Sequence, residues 1–137
     1  MRRGEAELSV ALRILSAEGW LAQRSKAVRA RLRAIAKMRH FAKDERIYLV
    51  GDPPNGVFGL VSGSLKISYP RGDGENYTAH RAGSGFWIGD LALFSDQPRL
   101  VSVHAAEPTV SAHLPVQDLA RLVREDPRLY ADFYSLT

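Results

Sequence analysis

The chain has no cysteine among its 137 residues. That excludes disulfides, thiolate zinc sites, cysteine-held iron–sulfur clusters and thiol nucleophiles together, and it fits a cytoplasmic setting. No apolar run approaches the roughly 20 residues that span a bilayer, and the opening MRRGEAELSV carries two arginines with no hydrophobic signal core behind them. The expected protein is soluble, unexported and not membrane-bound. Internal repeats, low-complexity tracts and interdomain linkers are also missing. Histidine is sparse: the four residues never come nearer than nine positions apart (His104 and His113), so no close His-x-His pair exists for a metal site on facing strands. No serine, histidine and acid combination has catalytic context, so no nucleophile or base can be named, and no catalytic residue, cofactor or metal is expected.

What is present is enough for one core, since 45% of the residues are hydrophobic and the length is that of a single domain. Charge is placed unevenly: residues 1–46 carry 12 Lys and Arg against 5 Asp and Glu, a balance of +7, while residues 47–137 balance at −3. Arg24, Lys26, Arg29, Arg31, Arg33, Lys37 and Arg39 spread around a helix without interleaved aromatics, which reads as a solvated face rather than a nucleic-acid stripe.

Leu8, Leu12 and Leu15 within residues 5–17, and Val28, Leu32, Ile35 and Met38 within residues 25–39, recur at helical spacing. They predict two amphipathic helices, the second capped by Ser25. From Phe41 short apolar stretches (47–50, 57–61, 65–69, 77–80, 86–88, 101–105 and 110–114) alternate with glycine-rich turns. Many short strands with frequent turns predict a mainly β sandwich or jelly roll with flanking helices. Helical spacing returns with Val116, Leu119, Leu122 and Val123 after Pro115, then with Leu129, Tyr130, Phe133 and Tyr134 after Pro127. The last pattern is still running at Thr137, which leaves four large apolar residues to be covered by a longer helix or a partner.

The stretch from Gly83 to Val103 stands apart. Gly89 lets main chain approach a ligand closely, Asp90 is a short acceptor, Leu91 and Ala92 can open a helical turn whose free amides face an anion, and Arg99 is a two-pronged donor for phosphate. Asp90 is equally suited to capping that helical turn. Apolar Ala92, Leu93, Phe94 and Val101 flank Arg99, an enclosed setting in which an arginine needs an anionic partner, with Asp90 one candidate; the other reading is a surface arginine after a turn.

Taken with Phe41–Glu45 leading into Gly51-Asp52, Phe58–Gly63 and Gly83-Ser84-Gly85, this order resembles the cyclic-nucleotide-binding domain of Crp/Fnr-type transcription regulators. The resemblance runs from about Gly19 to Thr137. It implies a double-stranded β-helix divided into an N-terminal helical segment (1–40), a β-roll with a phosphate-binding cassette at 83–103 (41–114), and C-terminal helices that begin a dimerisation helix (115–137). It further implies that Gly89, Asp90, Leu91, Ala92 and Arg99, with Leu100 and Val101 beside them, bind cyclic AMP or cyclic GMP without catalysis. A homodimer would form through the C-terminal helix of a longer parent, and DNA would be read only by a helix-turn-helix domain outside this chain.

Two departures matter. Asp90 is one methylene shorter than the glutamate usual for the ribose hydroxyl, and Leu100 replaces a common serine or threonine. Losing one neutral hydrogen bond costs on the order of 0.5–1.5 kcal/mol, which weakens a site without abolishing it, though a leucine projecting into the pocket adds bulk. The alternative is a ligand-free β-roll for dimerisation or partner docking, its nucleotide pocket degenerate.

Overall fold

Side chains alternate across a strand, so each strand of a layered fold must send successive residues to different cores. The computed structural model, which describes residues 3–70, 72, 76–83, 85–89 and 97–134, shows this on two antiparallel four-stranded sheets. The strands are β1 (Lys37–Phe41), β2 (Arg46–Tyr48), β3 (Gly56–Ser62), β4 (Ser64–Pro70), β5 (Asn76–Ala82), β6 (Trp87–Ile88), β7 (Ser102–Ala105) and β8 (Thr109–Pro115). One sheet runs β1-β8-β3-β6 and the other β2-β7-β4-β5, giving the jelly roll that the turn-punctuated pattern predicts. On β3, Val57 faces one core while Phe58 and Leu60 face the other; on β8, Ala112 and Leu114 face away from His113, which stacks on Phe58.

The inner core lies between the sheets and contains Phe41, Ile47, Tyr48, Phe58, Leu60, Leu65, Ile88, Val103 and Ala105. The outer core lies under the helices α1 (Arg3–Leu15), α2 (Lys26–Ile35), α3 (Val116–Glu125) and α4 (Leu129–Tyr134). Leu12, Leu15, Trp20, Leu32, Leu119 and Phe133 pack there on Val57, Ala112 and Leu114. Each such side chain is worth roughly 1.5–3 kcal/mol when fully buried, so helices and roll stabilise one another.

Ser25 caps α2 as expected, its hydroxyl accepting from the Val28 amide at 3.1 Å. The helix does not continue to residue 39, however. Ala36 turns to ψ 142, and Lys37 to Phe41 become β1, paired with β8 from Lys37 opposite His113 to Phe41 opposite Thr109. Met38 fits the helical spacing, but pairing with the exposed edge of β8 satisfies a row of backbone groups that another helical turn would leave open.

The expected lack of cover for the final apolar residues is also corrected. Leu129 and Phe133 are buried in the outer core, and only Tyr130 of the described side chains stands out. The Trp20 indole donates to the Asp132 carbonyl at 2.8 Å, its ring packs on Trp87 and Phe133, and Arg24 pairs with Asp132 at 3.0 Å.

Candidate anion site around Arg99

The site begins with a turn. After β2, Gly51 adopts φ 90, and the Asp52 carboxylate accepts from the Leu49 amide at 2.8 Å. Two backbone bonds then fasten Arg99 to this turn, from its amide to the Asp52 carbonyl and from the Gly51 amide to its own carbonyl, both 2.8 Å. With the main chain fixed, the side chain runs inward and is only 4% exposed. The reading of Arg99 as a surface arginine is thereby overturned, and the enclosed setting inferred from its apolar neighbours holds.

The guanidinium lies 4.0 Å over the Tyr48 ring, a cation–π contact. Nη1 donates to the Gly89 carbonyl at 2.8 Å, and Nη2 to the Gly56 carbonyl at 2.8 Å and to Asn55 Oδ1 at 2.6 Å. These bonds tie the start of β3 to the residue after β6. Glycine is required at both ends. Gly89 has φ 102, and a Cβ there would stand 2.5 Å from the Gly56 carbonyl oxygen; Gly56 has φ 118, and a Cβ there would overlap the Leu114 carbonyl. Only bare backbones approach closely enough to aim both carbonyls at one guanidinium.

Asn55 is the node that sequence reasoning misses. Besides receiving Arg99, its carbonyl accepts from His113 Nε2 at 2.8 Å, and its amide donates to the Ile47 carbonyl at 3.4 Å. His113 is stacked flat on Phe58 with centroids 4.3 Å apart. Burial above all, with help from the charges of Arg39, Lys37 and Arg99, holds its imidazole below the usual value and favours the neutral ring that donates through Nε2. Asn55-Gly56 carries a turn signal in sequence, but nothing local shows that the turn feeds a buried cation.

Of the other residues singled out in sequence, Gly89 is buried beside Arg99, and Val101 packs against the inner core. Leu100 is 71% exposed, so its side chain lies in solvent and does not fill the interior beside Arg99. Asp90, Leu91 and Ala92 lie outside the described residues. Chemically, the arrangement is a preorganised cation in a low-dielectric pocket of carbonyls.

The structure is a helix-flanked antiparallel roll closed on a buried arginine. The family model for the cyclic nucleotide-binding domain matches residues 38–126, and the chain belongs to that family. Glutaminase 1 of Bradyrhizobium diazoefficiens is 31% identical over 99 residues, covering 72% of this chain and 15% of that protein. The chain spans between 8% and 15% of the curated relatives it matches. Among solved structures, the N-terminal domain of a transcriptional regulator from Streptomyces coelicolor A3(2) superposes with a TM-score of 0.72 at 22% identity, covering 90% of this chain and 86% of that one. The sensor domain of the transcriptional regulator DNR from Pseudomonas aeruginosa gives 0.72 at 16% identity, covering 94% and 87%. At these identities the superpositions establish the fold. Among the described residues, no helix is long and apolar enough to cross a membrane.

Proposed function

We propose that the chain is the sensory domain of a cytoplasmic Crp/Fnr-type transcription regulator, binding cyclic AMP, cyclic GMP or a related anion without catalysis. The observation that carries this reading is the burial of the Arg99 guanidinium against Gly89, at the start of the cassette that continues through Asp90, Leu91 and Ala92. A phosphodiester arriving there would compete with the Gly89 and Gly56 carbonyls for these donors, setting an anion opposite the guanidinium in place of neutral acceptors. Leu100 and Val101 would flank the ligand. The roll then runs from Lys37, four residues earlier than the expected boundary at 41, to Pro115, with the preceding helices flanking it and the segment to 137 leading toward a dimerisation helix. DNA contact would belong to a domain beyond this chain.

The same geometry favours a second reading. Arg99 already joins β3 to the end of β6, so it also suits a roll that has given up its ligand and serves dimerisation or docking. Titration calorimetry with cyclic AMP and cyclic GMP separates the two. Saturable heat in the wild type, reduced at least tenfold in affinity by Arg99→Lys, which keeps the charge and loses the fork, supports sensing. No binding of either nucleotide at millimolar concentration would leave only the docking role.

A further inference from the structure

The basic N-terminal third folds into something its sequence does not display. Arg24 is taken up by Asp132, and Arg31 by Glu125 and Asp126. Lys26, Arg29 and Arg33, spaced three and four apart on α2, instead share one stripe that faces Ser9 and Arg13 of α1 and Ser16 just after it across a cleft of 460 Å³. Leu12 and Leu21 lie buried among its lining. Arg33 Nη2 donates to Ser9 Oγ at 2.6 Å and ties the helices across the cleft, while Arg29 Nη1 is braced on the carbonyl of Arg24 at 2.8 Å. Among the described residues none of these four cations pairs with a carboxylate, and no acidic side chain lines the cleft.

Four like charges around one concavity repel each other, and the arrangement is relieved by a multivalent anion. The volume lies within the roughly 300–1,000 Å³ of small-ligand sites. The braced Arg29 keeps Nε and Nη2 for a ligand, Ser16 supplies a hydroxyl, and the capped N-terminus of α2 adds its positive dipole end beside Lys26.

We propose that the α1–α2 cleft is a second anion site, separate from the roll, that takes a ligand bearing two or more adjacent phosphate groups, whether a free phosphate ester or a phosphorylated lipid headgroup. Inorganic pyrophosphate titrated into the ¹⁵N-labelled chain at low salt should shift amides of residues 9–16 and 26–33 saturably. Arg13→Gln combined with Lys26→Gln, two exposed side chains with no bonds to described groups, should leave the circular dichroism spectrum intact and weaken binding at least tenfold. The shifts should persist in Arg99→Lys, so failure of the cyclic-nucleotide reading does not touch this one. Sedimentation with vesicles of phosphatidylcholine with or without phosphatidylinositol 4,5-bisphosphate separates the sources: capture reversed by pyrophosphate identifies a headgroup, and no capture identifies a free phosphate. Absence of saturable pyrophosphate shifts, or shifts unaltered in the double variant, overturns the site, as does vesicle capture without pyrophosphate binding.

Discussion

His113 sits where a small chemical change has a long reach, because its Nε2 holds the Asn55 carbonyl while Asn55 Oδ1 receives Arg99. Burial lowers its pKa in the folded state, so as pH falls the unfolded chain takes up a proton before the folded one does. Its contribution to stability is full above the unfolded value of about 6.5 and is lost as pH falls through that value toward the lower folded one. His113→Gln removes this titration. The gap in thermal midpoint between wild type and variant should therefore narrow from pH 7.5 to pH 5, read by differential scanning calorimetry; a gap constant over that range would refute the coupling. At this scale the sequence was half legible. Gly89 and Arg99 announce a close approach and a cation by residue type alone, whereas Asn55, Tyr48 and His113 become partners only through folding, across 44 positions in the case of Asn55 and Arg99.

Among the elements, α4 depends most on distant support. Phe133 is 2% exposed and packs on Trp20, while Tyr130 on the same helix is 37% exposed. Phe133→Ala should lower stability by about 3–5 kcal/mol in urea titration, and Tyr130→Ala by less than about 1 kcal/mol. Equal losses would mean that α4 is not anchored through its buried face. Spacing announces α4 in sequence but not what covers it, since that cover comes from Trp20 in the loop after α1. The strands from β2 onward follow their apolar runs within a residue or two. Strand β1 escapes because Val28, Leu32, Ile35 and Met38 keep helical spacing across the boundary, and only the free edge of β8 decides against the helix.

Across the whole molecule, two cores share one sheet. Val57 belongs to the outer core and Phe58 to the inner, so neither core can be lost without disturbing β3. Unfolding should accordingly be a single transition. Tryptophan emission, which reports Trp20 and Trp87 in the outer core, should coincide in urea with far-ultraviolet circular dichroism, which reports both sheets. Separate midpoints would show that the helical layer leaves first.

The bond from Trp20 to the Asp132 carbonyl joins positions 112 apart. During synthesis at roughly 5–20 residues per second, about five to twenty seconds separate the emergence of the two partners from the ribosome. For that interval the nascent N-terminal helices carry Leu12, Leu15 and Trp20 with their final covering still unmade. Within this stretch the part translated first is thus among the last to be finished.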